Sequence, residues 1–169
     1  MSINLKLAPS AASLLESMRD LGYSLETAVA DIIDNSISAY ATEIDIYCLL
    51  SNDSPSLTII DNGIGMSKTE LLKAMKHGSI NPKAERDADD LGRFGLGLKT
   101  ASFSQCRQLT VISRRNSVLN AAQWDLDLIS KYDEWLLQIL DQTEIKSFDM
   151  LNKLPKTGTL VVWKNLDRL

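Results

Sequence analysis

Three short stretches hold the residues whose types and spacing could do chemistry. In DIIDN, residues 31–35, Asp31 and Asn35 stand four apart and so share one face of a helix, with Asp34 beside Asn35. Asn35 offers a neutral oxygen suited to a hard cation such as Mg²⁺, which keeps most of its waters and any phosphate ligands. Asp31, one turn away, offers a carboxylate suited to take a proton from water. Ile32 and Ile33 face elsewhere, toward a core. A solvated helix face carrying acids is the other reading of these five residues.

The second stretch is DNGIGM, residues 61–66, directly after the apolar run SLTII. A carboxylate at the end of a strand can accept a hydrogen bond from an exocyclic amine. Adenine carries such an amine at its six position, where guanine has a carbonyl that would repel the acid. Asp61 is therefore a reasonable adenine reader. Gly63 and Gly65 lack a Cβ and let backbone approach a flat ring, while Ile64 and Met66 can wall it. Asp-Asn-Gly is also turn chemistry in its own right.

The third stretch is GRFGLGLKTAS, Gly92 to Ser102. It is not the G-x-G-x-x-G fingerprint. It misses a P-loop by one residue, because Leu98 intervenes between Gly97 and Lys99, and no strand precedes it. It does offer glycines opening a helix, whose free N–H groups bind phosphate, and a lysine in the first turn for a charge-assisted contact. A flexible glycine linker is the alternative.

These residues need elements to hold them. SLLESMRDLG has helical periodicity and a stop at Gly22. In the next helix, SLETAVADIIDNSISAY, Ser24 can cap, Glu26 suits the N-terminal dipole, and Leu25, Val29, Ile32 and Ile33 form the apolar stripe. EIDIYCLL and SLTIID read as paired strands. SKTELLKAMKHG opens on a capping box, Ser67 with Glu70. SINPKAERDADDLGRFG is polar and aperiodic, a long loop able to fold over a ligand as a lid at about 77–96, hinged at Gly78, Gly92 and Gly95. LGLKTASFSQC reads as a helix. RQLTVISRR, SVLNAAQWDLD, EWLLQIL and GTLVVWKNL read as strands. The order implies an α/β fold, a two-layer sandwich of helices on one face of a mixed, mostly antiparallel sheet, rather than a regular βαβ alternation.

The chain has 169 residues, 44% hydrophobic and 24% charged, with net charge −4, which fits one domain with a full core. That balance gives no nucleic-acid or membrane signal. No window approaches a membrane span or a signal peptide, so a cytoplasmic location is expected. Cys48 and Cys106 have no metal or redox spacing and read as reduced and structural, Cys48 as a small core hydrophobe. Trp124, Trp135 and Trp163 read as core or sheet-face residues.

Taken in order, acid and Asn on a helix, DxGxG after a strand, GxxGxGLK opening a helix, and GT starting a late strand resemble the GHKL superfamily of ATP-binding domains. That superfamily comprises gyrase B, heat-shock-ninety chaperones, histidine kinases and MutL, and the chain looks closest to its MORC-like and MutL-like members. The resemblance covers about residues 20–167. It implies the Bergerat ATP-binding fold, ATP and Mg²⁺ as cofactors, and ATP hydrolysis. By residue, it implies Asn35 as the Mg²⁺ ligand and Asp31 as the general base. Asp61 would read adenine, with Gly63, Gly65 and Met66 around the base. Gly92, Gly95, Leu96, Gly97, Leu98 and Lys99 would form the lid and phosphate motif. Thr159 would help Asp61 through water.

Hydrolysing members carry Glu where this chain has Asp31, which is one methylene, about 1.5 Å, shorter. Relatives also carry Asp at the position of Ser38. A switch that binds ATP without hydrolysis is the alternative. A histidine kinase fits less well, because the sole histidine, His77, reads as a loop-end residue. The family further implies an ATP-dependent homodimer, and a second domain or protein partner beyond the NLDRL end of this chain, which then reads as the N-terminal part of a longer protein.

Overall fold

The computed structural model describes residues 9–20, 23–50, 54–76 and 97–168. Its sheet comprises β1 (Ile44–Leu49), β2 (Ser56–Asp61), β3 (Cys106–Arg115), β4 (Val118–Asp125), β5 (Leu137–Ile139) and β6 (Gly158–Leu166). The strand order is β1-β2-β6-β3-β4-β5, and every ladder among the described residues is antiparallel. On one face pack α1 (Ala11–Arg19), α2 (Leu25–Ser38), α3 (Lys68–Met75), α4 (Gly97–Gln105) and α5 (Leu126–Tyr132). This is the expected α/β layering.

Side-chain alternation decides which face each strand residue takes. Leu57 and Ile59 of β2, Val161 and Trp163 of β6, and Leu109 and Val111 of β3 join the helix-side core with Leu15, Ile32, Met75, Phe103 and Ile129. Ile60, Leu160, Val162 and Ile112 point to the opposite face. Register carries the pattern across the strands, with Ile59 paired to Val161 and Val161 to Val111. Two residues further on, the same helix-facing row reads Asp61, Thr159 and Ser113, all buried. The apolar sheet face thus ends in a polar rung beneath α2.

The helix ends follow their sequence signals. Ser24 accepts from Thr27 N–H at the start of α2, and Ser67 with Glu70 completes the capping box of α3. In α2, Ala28 and Ile32 are fully buried, Leu25 and Val29 pack on the same core, and Ile33 is only half-buried. Seven of the nine residues of α4, Lys99 to Gln105, are buried, which makes it the central helix of the layer.

Several local expectations are corrected. The far sheet face is not bare. Helix α6 (Gln142–Lys146) and a 3₁₀ turn (Asp149–Lys153) set Ile145, Phe148, Met150 and Leu151 on it, with Leu154 just beyond. The strand expected across residues 117–127 stops at Asp125, whose carboxylate caps α5 through Asp127 N and Leu128 N. EWLLQIL supplies only the three residues of β5. Cys48 is exposed rather than core, because it sits on edge strand β1, where Ile46 is also 46% exposed. Cys106 is buried, and the three tryptophans pack as expected. Gly22, His77 and the lid at about 77–96 lie outside the described residues. Among the described residues no helix is long and apolar enough to cross a membrane.

Candidate functional site

Asp61 closes β2 and is 5% exposed. Its Oδ1 accepts the N–H groups of Gly63 at 2.9 Å and Thr159 at 3.2 Å, and its Oδ2 accepts the Ser36 hydroxyl at 2.9 Å. Burial pushes this carboxyl above its ordinary pKa, and the bonds from Gly63, Ser36 and Thr159 pull the other way. Three elements, β2, β6 and α2, therefore converge on one acid.

The loop after Asp61 is held from both sides. Asn62 Oδ1 accepts from Thr42 N at 2.8 Å and Glu43 N at 3.1 Å, pinning the turn to the start of β1. Ile64 N–H donates to Ala39 O at 3.0 Å at the end of α2. Gly63 runs so close to α2 that a Cβ there would lie 2.7 Å from Ala39 O. Gly65 has φ +65°, and a Cβ would strike the Arg114 carbonyl. The two glycines of the motif thus seat the loop between α2 and β3. Met66 follows, its N–H donating to Ser113 Oγ at 2.7 Å, its side chain packed on the helix-side core.

Asp31 and Asn35 lie one turn apart on α2, as their spacing requires. Asn35 Nδ2 donates to Asp31 O at 2.8 Å, which fixes the amide and leaves its carbonyl oxygen as the group able to meet a cation. The Asp31 carboxylate lies near the Tyr23 hydroxyl, whose pKa is raised by burial and then by that charge. It also faces the first residue of α4, where a Cβ on Gly97 would be 3.7 Å from Asp31 Oδ2. The start of α4, Gly97 and Leu98, is thereby set beside the α2 pair. Gly92, Gly95 and Leu96 lie outside the described residues.

Lys99 points elsewhere. It is 1% exposed, and its Nζ donates to Ala74 O and Lys76 O, each at 2.8 Å, at the C-terminal end of α3. Burial lowers its pKa to about 8. Ser38 is exposed on α2.

Sequence reading missed four residues here. Ser36 follows Asn35 but falls four after Ile32, on the buried stripe, and a polar residue there signals a buried partner. Ser113 breaks the apolar alternation of LTVIS on the helix side. It contacts Thr159 Oγ1 at 2.9 Å and donates to Gly158 O at 3.1 Å. Gly158, with φ +143°, passes so near Asp61 that a Cβ would strike the Asp61 carbonyl. Tyr23 precedes the cap of α2 and gave no sequence signal.

A model of the family described as "Histidine kinase-, DNA gyrase B-, and HSP90-like ATPase" matches residues 23–159. The chain is similar to the ATPase morc-1 of Caenorhabditis elegans, 30% identical over 95 residues, 56% of this chain and 11% of that protein. It is similar to the mouse ATPase MORC2B, 29% identical over 96 residues, 55% of this chain and 9% of that protein. It is also similar to the chaperone protein HtpG of Clostridium acetobutylicum, 28% identical over 137 residues, 70% of this chain and 22% of that protein. The chain thus spans under a quarter of each of these relatives. The matched segment runs from Tyr23 to Thr159 and contains every described residue of the converging site, so the chain belongs to the histidine kinase-, gyrase B- and HSP90-like (GHKL) family of ATPase domains, a membership that implies ATP binding.

Proposed function

We propose that the chain binds Mg·ATP at the Asp31–Asn35–Asp61–Thr159 site and hydrolyses ATP slowly. The carrying observation is the Asp61 carboxylate. It is buried and held by three donors that all favour an acceptor facing its neighbours, on the rung where an adenine amine would be read. Gly63, Gly65 and Met66 form the turn around that base. The start of α4, Gly97 and Leu98, with Gly92, Gly95 and Leu96 before it, takes the phosphates through backbone N–H groups.

The donor set fits Mg²⁺ held mainly by phosphates and water. Among the described residues no cluster of three or more His, Cys, Asp or Glu could cage a metal, and Asn35 supplies one neutral oxygen from a fixed amide. When bound, the ion neutralises phosphate charge. Asp31 accepts the proton of the attacking water.

The reading extends to closure of the glycine-flanked lid at 77–96, coupled to dimerisation or to a second domain. It is supported by family membership and by the glycine pattern of the lid sequence. One observation favours the alternative, a binding switch without turnover. The short Asp31 carboxylate lies beside the Tyr23 hydroxyl, which competes with a water for it. Calorimetry with ATP and GTP tests the binding claim, and equal affinity for the two overturns it. Phosphate release with and without Mg²⁺ separates enzyme from switch.

A further inference from the structure

The polar rung ends on Ser113, a fully buried side chain with one hydroxyl proton and three neighbours. The Met66 N–H, 2.7 Å away, can only donate. The Gly158 carbonyl oxygen, 3.1 Å away, can only accept. With the Ser113 proton on Gly158 O, the 2.9 Å contact to Thr159 must be made by the Thr159 proton. This assignment satisfies all four groups together, the arrangement that buried polar groups adopt. Thr159 Oγ1 is then left with lone pairs only.

We propose that Ser113 is a specificity-positioning residue. By taking the Thr159 proton it makes that hydroxyl an acceptor, so Asp61 and Thr159 present two acceptors side by side to the bound base. The inference rests on the reading of Asp61 as the adenine contact. Adenine offers a donor at its six-amino group and an acceptor, N1, next to it. The amine meets the carboxylate directly. N1 cannot meet an acceptor hydroxyl, so a water giving one proton to N1 and one to Thr159 completes the edge. Without Ser113 the Thr159 hydroxyl can rotate and donate, and the water loses its fixed place.

The test measures ATP and 1-deaza-ATP, in which a C–H replaces N1, by calorimetry on the full 169-residue chain. Wild type should prefer ATP by about tenfold, the worth of one hydrogen bond. Ser113→Ala should reduce the preference to below about threefold, Thr159→Val should do the same, and the pair together should lose no more than either alone. Ser113→Thr keeps a hydroxyl and should retain the preference. A Ser113→Ala variant that weakens both nucleotides equally and keeps the ratio overturns the proposal, as does a wild type indifferent to N1. Should Ser113→Ala not fold, Ser113→Cys decides, since a thiol is a poor acceptor for the Thr159 proton, so a retained preference there overturns the proposal and a lost one sustains it. GTP separates the two levels. A wild type that binds GTP as tightly as ATP fails the Asp61 reading. An ATP-selective wild type whose N1 preference survives Ser113→Ala fails only the Ser113 role.

Discussion

The Ser36 hydroxyl stands 2.9 Å from Asp61 Oδ2, so the middle of the site is a bond between helix α2 and the end of strand β2. Anything that moves α2 also pulls on Asp61, the residue proposed to read the base, and Asn35 is the neighbour of Ser36 along that helix.

Asp61→Asn tests this carboxylate with little change of shape. An Asn can keep Oδ1 as acceptor for Gly63 and Thr159 N–H, so the fold should survive. ATP should bind about 1–3 kcal/mol more weakly, the loss of a charged hydrogen bond. The variant should also change acid stability. Burial raises the folded pKa of Asp61, so the folded state holds its proton after the unfolded state has released it. Wild type therefore loses stability as pH rises from the ordinary carboxylate value of about 3.9 through the raised one. Urea titrations of Asp61→Asn should lack that component.

Much of this arrangement was legible in the sequence. The Asp31–Asn35 pair is fixed by helical spacing, and Asp61 by its place after a five-residue apolar run. What was not legible depends on register. Ser113 and Thr159 lie 46 residues apart and meet only because β3 pairs with β6. Gly158 announces itself only through a positive φ and the approach of Asp61. Lys99 shows the opposite failure. A lysine in a glycine-led first turn suggests phosphate, yet burial of α4 turns the side chain into the core, where the open carbonyls at the end of α3 receive it. Helix α6 was readable from the Asp141–Glu144 capping box, but at five residues it has almost no periodicity to confirm it.

Lys99→Met should unfold more easily than wild type at neutral pH, by about 1–3 kcal/mol, because the Ala74 and Lys76 carbonyls lose their buried donor. Its pH dependence has a definite sign. Burial lowers the folded pKa to about 8. Unfolded lysine keeps its proton to about 10.4, so between those values the unfolded state binds more protons and wild-type stability rises with pH. The gap between wild type and Lys99→Met should widen across that window in denaturant titrations. With Nζ tied to α3, the substitution should weaken ATP and adenosine by the same factor. A loss confined to ATP would place the ammonium on the phosphates.

Asn35→Ala should remove most of the Mg²⁺ dependence of nucleotide binding. The side chain is exposed and makes a single described bond, to Asp31 O, so little stability is at stake. Titration of ATP in Mg²⁺ and in chelator checks this. A variant that keeps the full Mg²⁺ effect reassigns Asn35 to helix structure.

In the proposed reaction Asp31 is the general base. Its carboxylate lies near the Tyr23 hydroxyl and faces the first residue of α4, the helix start proposed to take the phosphates. Asp31→Ala should leave ATP affinity within a few-fold and abolish turnover, since general-base assistance is typically worth about 10²–10⁴ in rate. Asp31→Glu is the more informative change. It restores the reach that the family resemblance implies for hydrolysing members, so it should raise turnover if distance limits the reaction. It should do nothing if a missing domain or partner is the limit. The deciding measurement is single-turnover hydrolysis of wild type and both variants at saturating Mg·ATP. If Asp31→Ala hydrolyses as fast as wild type, Asp31 is not the base, and the domain is a nucleotide-binding switch in which Tyr23 and Asp31 only shape the pocket wall.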